Sequence, residues 1–384
     1  MKTKNKASIS AALGIACVWM GTHFGPGVGS GTQINQYFVR FGLPGIICAV
    51  IAMAILGYGL YCSTEFSRIY KTYDYGSWMQ KIWGMKWASV LFDISFIVTC
   101  ITALGGSLNA IATLLQSQFG LNYWVGVILI MILAALLCAF GSKLVAAASS
   151  YMMYAVMLVI IMILVLVIAS GQADLGGSIA NQATNENLTV SWPKALWSAI
   201  IYAAFQCTVI ANISSVANTV PNRATSKRAA IFGVIGNSAM LLILGFLLFS
   251  FTNVYDITNE ALPLYSILER LGYGWAKVVY VLIVFVAVLS TAVGFCFGGL
   301  ARFSKFYRKP EEKTPAKDAL LVAVILIVCA LCSKFGIVAM VSVGYTILGY
   351  INLPLLLLPA IIIGGRKISK KFLKNNNIDA PGVD

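Results

Sequence analysis

Residues 21 to 33 read Gly-Thr-His-Phe-Gly-Pro-Gly-Val-Gly-Ser-Gly-Thr-Gln, five glycines and a proline inside an apolar run that begins near residue 8. Proline has no backbone N–H to offer and glycine gains least from staying wound, so the helix is predicted to open here and leave amide and carbonyl groups unpaired. At membrane depth such groups persist only where protein encloses a polar cavity around them. A broken helix inside a membrane span therefore marks a binding site.

Composition makes the bilayer the setting. Of 384 residues, 59% are hydrophobic and 10% charged, and the apolar stretches repeatedly reach the roughly 20 residues that cross a hydrocarbon core. The expected fold is an all-α integral membrane protein with ten transmembrane helices. They lie at about 8 to 39 (interrupted), 43 to 66, 87 to 118, 122 to 141, 144 to 170, 193 to 220 (interrupted), 226 to 252, 275 to 304, 317 to 335 and 336 to 364. Only Lys334-Phe335-Gly336 separates the last two. Residues 171 to 192 read as a polar external linker, 255 to 273 as an external amphipathic excursion and 365 to 384 as a tail.

No small-residue cleavage site follows Lys2, Lys4 and Lys6, so the first span is expected to stay in the mature chain. Of the 27 Lys and Arg, all but Arg40, Lys194, Arg270, Lys277 and Lys334 fall on one side of this topology, among them Arg68, Lys81, Lys86, Lys143, Arg223, Arg302, Arg308, Lys313 and Arg366. Retention of cations then puts both termini in the cytoplasm, with the cell's inner (cytoplasmic) membrane as the expected location. The net charge of +14 is a topology signal with attraction to anionic lipid, and nucleic acid is not an expected partner.

Several chemistries drop out. The nine cysteines are scattered through apolar spans without paired spacing, and His23 is the single histidine, which argues against disulfides and zinc. There is no phosphate-binding loop and no Gly-x-Ser-x-Gly elbow, so the chain is expected to be neither ATP-driven nor an enzyme, with no organic cofactor. Transport would draw on an ion gradient.

The interrupted spans each open a block of five, 8 to 170 and 193 to 364. An odd number per block inverts the second relative to the first, the arrangement of inverted-repeat transporters whose site lies between two broken helices. No glycine marks the second break. It is inferred from Gln206-Cys207-Thr208, Asn212, Ser214 and Ser215 within an apolar segment, which the alternative reading treats as bonds across helices.

These features resemble the amino acid, polyamine and organocation superfamily, the LeuT fold. Gly21-Thr22-x-x-Gly25-x-Gly27-x-x-Ser30-Gly31-x-x-Ile34-x-Gln36-x-Phe38 is similar to the first-helix signature of the bacterial YkvI family, and residues around Tyr202 to Gln206 are similar to its sixth span. One departure is Gly31-Thr32-Gln33 where that family has Gly-Gln-Glu, so an uncharged Gln33 replaces a carboxylate. The resemblance implies a sodium site built from the carbonyls of Gly21 and Phe24 with Ala287, Ser290 and Thr291 of the eighth span. Proton coupling is the competing expectation, with His23 and Asp93 as the titratable candidates and Asp93 within reach of Lys81 or Lys86. Glu65 is expected at the interface, within helical reach of Arg68.

For the solute, N–H groups of Gly25, Gly27, Gly29 and Ser30 are expected to form a nest for a carboxylate. An ammonium would rest on carbonyls, on Gln206, or over Phe24, Tyr202, Phe205 or Phe295, which keeps amines and betaine-like zwitterions open beside small amino acids. Gly105, Gly106, Ser107 and Asn109 read as a close-packing face or part of the path, and Asn237 as a place for a second ion. Two function classes share this architecture: an ion-coupled importer working by alternating access, and a small-ligand receptor resembling spore-germinant receptor subunits.

Overall fold

The chain opens where glycine and proline make winding costly. In the computed structural model the backbone is described for residues 2–140, 142–307, 309 and 314–382, and side chains for 9–138, 154–307, 309 and 314–382. Helix α1 (Lys2–His23) stops before Phe24 and Gly25, α2 (Pro26–Gly29) is one turn with Pro26 at its first position, and Gly31 at φ 83° turns the chain into α3 (Thr32–Tyr37). A first-turn proline gives up no helical hydrogen bond, and the positive φ suits only a residue without Cβ.

The remaining helices are α4 (Gly42–Tyr70), α5 (Tyr75–Trp83), α6 (Ala88–Phe119), α7 (Tyr123–Phe140), α8 (Ser142–Ser170), α9 (Leu175–Asn181), α10 (Trp192–Thr219), α11 (Arg223–Phe249), α12 (Pro263–Leu271), α13 (Gly274–Phe306), α14 (Pro315–Phe335), α15 (Ile337–Lys367) and α16 (Lys370–Asn375). Among the described residues, seven stretches are long and apolar enough to cross a membrane: Thr32–Tyr70, α6, α10, α11, α13, α14 and α15. Tyr154–Ser170 with Leu175–Asn181, bent by 89°, makes an eighth if the pair is one span, and Ile9–His23 and Tyr123–Cys138 are shorter apolar helices. Lys2, Lys4, Lys6, Lys143, Arg308 and Lys313, used in the charge argument, lie outside the described side chains.

The interruption of α10 is milder than that of α1. A single 3-10 turn at Cys207–Val209 separates Trp192–Gln206 from Ile210–Val216, and the helix continues through it. With no glycine or proline in this stretch, nothing penalises the wound state, and the backbone tightens by one bond instead of opening. The segment after α11 matches its amphipathic reading, since α12 buries Leu264, Tyr265, Ile267 and Leu268 on one face.

Two groups of helices pack against one another. α1, α4, α10 and α11 form one, and α6, α7, α8, α13 and α14 the other, with α15 laid along α10. Small residues set the close contacts of the first group: a Cβ on Gly233 would sit 2.2 Å from the Trp19 ring, and one on Gly57 would sit 2.2 Å from Val234. α1 and α11 therefore approach by lodging a buried indole over a bare backbone.

One end of the molecule carries the C-terminal tail. There Glu65, fully buried, accepts from Arg68 at 2.6 and 2.9 Å, from Arg223 at 3.1 Å and from Ser226 at 2.9 Å. The arginines also reach the tail: Arg68 donates to Pro381 O at 2.6 Å and Arg223 to Ile368 O. The Glu65–Arg68 pair matches its sequence reading, while burial and the second arginine arise from contacts no local pattern reveals. Glu65→Gln keeps one acceptor oxygen but removes the negative charge that two guanidinium groups share, an effect on the order of 3 kcal/mol. It should lower the unfolding midpoint of the detergent-solubilised protein by several degrees, and an unchanged midpoint would show that the cluster does not hold α4 to α11.

Candidate transport site

A cavity of about 490 Å³ lies between the two helix groups at the break. The first group contributes Gly21 to Gly27 and Gln33 from the broken helix with Phe205, Gln206, Thr208 and Asn212 from α10. The second contributes Phe96, Thr99 and Ser107 from α6 and Ala287, Ser290, Thr291 and Phe295 from α13. Tyr345 and Leu348 of α15 complete the wall.

The break supplies the polar surface. Phe24 N–H still bonds to Met20 O at 3.0 Å, but among the described residues the carbonyls of Gly21 to Phe24 receive no backbone N–H from the residue four positions on. The N–H groups of Gly25 and Gly27 likewise have no backbone partner, because Pro26 and the turn behind it shift the pairing to Gly25 O and Pro26 O. Gly21 to Phe24 line one cavity with the hydroxyl-bearing Ser290 and Thr291; carbonyl and hydroxyl oxygens are groups that suit a hard cation, and backbone N–H groups suit an anion.

His23 is locked where it lines this cavity. Its Nδ1 lies 2.5 Å from Asn237 Oδ1 and its Nε2 lies 2.7 Å from the Tyr202 hydroxyl. Asn237 Nδ2 donates to Gly233 O at 2.7 Å, so the amide oxygen faces the imidazole and only accepts. Nδ1 therefore carries the proton, and in the neutral ring Nε2 accepts from Tyr202. The network ties α1 to α10 and α11 and uses up the Asn237 amide that the sequence had left for a second ion.

The structure gathers most expected site residues and turns others away. Gly21, Phe24, Gly25, Gly27, Phe205, Gln206, Ala287, Ser290, Thr291, Phe295 and His23 share the cavity. Gly29 and Ser30 do not line it: their N–H groups bond to Gly25 O at 2.9 Å and Pro26 O at 2.8 Å, and Ser30 Oγ pairs with Thr32. Tyr202 is also absent from the wall, spent on His23 and packed against Phe38 and Phe205. Asn109 bonds Tyr123 and the Ile337 N–H, while Gly105 and Gly106 admit Cys329 O and Met340, so Ser107 alone of that face reaches the cavity.

Asp93 pairs differently from expectation. It sits 3.9 Å from Arg302 and 3.8 Å from Lys305, and accepts from Tyr75 at 2.9 Å, leaving Lys81 and Lys86 elsewhere. Helix α13 delivers both cations from a late turn that sequence reading treated only as a topology marker. Arg302 lines the cavity with its guanidinium 3.9 Å from the Phe96 ring centre and 4.4 Å from that of Tyr75. Tyr345 was missed as well; it stacks on Phe205 at 4.7 Å and 7°, and its only sequence signal is a tyrosine after Gly344.

The cavity is closed on one side and open on the other. Away from the tail, Thr32 bonds Ala261 O at 2.7 Å, Asn35 bonds Ile257 O at 2.8 Å, Leu264 N–H bonds Ser30 O at 3.2 Å, and Tyr37 reaches Val341 O and Thr346. Gln33, Phe205 and Tyr345 are buried beneath this seal. Toward the tail, Gly21, Thr22, Asn212 and Gly294 are exposed.

A glycine-broken helix facing a partner helix across a half-closed cavity between two packed groups defines a membrane transporter, not an enzyme. Residues 12–309 match the amino acid permease family, and the chain belongs to it. An uncharacterized membrane protein of Bacillus subtilis (strain 168), YkvI, is 22% identical over 353 residues, covering 90% of this chain and 94% of its own. The fold is that of solved LeuT-fold transporters. MhsT in complex with L-phenylalanine superposes with a TM-score of 0.60 at 15% identity, covering 92% of this chain and 96% of MhsT. A Na+-coupled sialic acid symporter gives 0.54 at 13%, covering 93% and 87%, and a manganese transporter of Eremococcus coleocola 0.56 at 10%, covering 98% and 92%.

Asn237→Leu removes the acceptor of His23 Nδ1 and strands a buried donor, a loss of roughly 1–3 kcal/mol. A lower unfolding midpoint is expected, and Asn237→Asp, which keeps an acceptor, should restore part of it. Equal midpoints for all three proteins would mean that the imidazole is held by packing alone.

Proposed function

We propose that the protein is a sodium-coupled importer of a small amino acid or related zwitterion, working by alternating access in the cytoplasmic membrane with both termini inside. The observation that carries this reading is the set of unpaired carbonyls at Gly21 to Phe24 and free N–H groups at Gly25 and Gly27 opening on one cavity opposite Ala287, Ser290 and Thr291. In this reading sodium takes the carbonyls of Gly21, Phe24 and Ala287 with the two hydroxyls. The solute carboxylate takes the N–H groups of Gly25 and Gly27, and Phe205, Gln206 and Phe295 enclose the rest.

Blocks 8 to 170 and 193 to 364 act as the inverted repeats. Arg68 and Arg223, bonded to the tail, and Arg366 and Lys367 at its start support a cytoplasmic tail side. The cavity then faces inward, and import requires the seal of Thr32, Asn35 and Tyr37 to open as the tail side closes. Ion and solute couple because both bind groups released by the same break. If each favours the same arrangement, each raises the other's affinity by the same factor. Family membership and the amino acid or sodium in the names of two neighbours support the solute and ion classes.

Uptake of radiolabelled L-amino acids into vesicles should rise with external sodium. Ser290→Ala with Thr291→Ala should raise the sodium needed for half-maximal uptake by about tenfold or more, as expected for losing charge-assisted contacts. Uptake that ignores sodium and follows a pH gradient would refute the cation site, and ligand binding without flux would favour a receptor.

A further inference from the structure

The strongest unspent group in the cavity is the carboxamide of Gln33. Its side chain lines the closed end of the cavity at 5% exposure, and its Oε1 is buried with no hydrogen-bond partner. Its Nε2 end packs against Gly27 so closely that a Cβ there would lie 2.4 Å away. The carboxamide thus packs against Gly27, whose N–H is one of the two at the break with no backbone partner among the described residues. Tyr345 is the hydrogen-bonding neighbour of the Gln33 amide, whose N–H end donates toward the phenol oxygen, and among the described residues Oε1 keeps no partner.

We propose that Gln33 is a specificity-determining residue that accepts an N–H from the solute's amino group, selecting primary α-amino acids over their N-trimethylated counterparts. This rests on the reading of the cavity as a solute site. The argument is one of spacing and of hydrogen count. An α-amino acid carries its carboxylate and ammonium on one carbon, so a carboxylate on the Gly27 N–H sets the ammonium within reach of a group that touches Gly27. Water in the cavity can satisfy the oxygen, but a solute displacing that water must bring its own donor. A trimethylammonium has none and presses methyl groups against a buried acceptor. Leaving one such atom unpaired weakens binding by roughly ten- to a hundredfold. The aromatic walls accept either cation by cation–π contact, so the discrimination falls on Gln33.

The full-length protein in detergent with sodium is screened against the twenty L-amino acids by thermal shift, and the one giving the largest shift is compared with its own N,N,N-trimethyl derivative by equilibrium binding. The trimethyl form should bind about tenfold or more weakly. Gln33→Leu should bring the two within about threefold, and Gln33→Glu, which keeps an oxygen acceptor, should retain the preference. Equal affinities in the unaltered protein overturn the role of Gln33 while leaving the solute site intact, whatever the variants do. Failure of every amino acid to bind overturns the solute-site reading and this inference with it. Unchanged discrimination in Gln33→Leu assigns the preference to another residue.

Discussion

Everything in this protein depends on how a few backbone groups are paired inside a low-dielectric slab. A wound helix hides its N–H and C=O groups at no cost to its neighbours; an unwound one exposes them and is tolerated only beside water, an ion or a polar ligand. The chain leaves the helix at Phe24 and Gly25 and again at Ser30 and Gly31, with Pro26 barred from donating and Gly31 held at a φ that other residues avoid. Two packed groups of helices have to part around it. The cavity is the space they leave, and its chemistry belongs to the backbone as much as to side chains.

In the proposed transport cycle, opening and binding act on the same backbone groups. The broken helix is anchored on one side through His23 to Tyr202 and Asn237, and on the other through Thr32, Asn35 and Tyr37 to the segment before α12 and to α15. The first anchor lies within the group of α1, α4, α10 and α11; the second crosses to elements outside it. In the proposed alternating access, tilting the groups breaks the crossing bonds and spares those that hold His23.

Much of this was legible in the chain itself, for identifiable reasons. The spans show as runs of apolar residues and the first break as glycine and proline, while the residues proposed for sodium come from a spacing that the family resemblance supplies. The α10 interruption was legible as polar residues but not in form, since a 3-10 turn needs no special residue. What escaped depends on distant partners. Nothing near Asp93 announces Arg302, nothing near Tyr202 announces that His23 occupies its hydroxyl, and Ser30 looks as free as Gly27 until the turn at Pro26 claims its N–H.

The clasp at the tail has a practical side. Arg68 and Arg223 divide their donors between a carboxylate at zero exposure and the carbonyls of Ile368 and Pro381, so the final segment is tied to both cations that hold that buried charge. Trimming the polypeptide ahead of Pro381, or fusing a bulky reporter there, would release one tie and loosen the grip on Glu65.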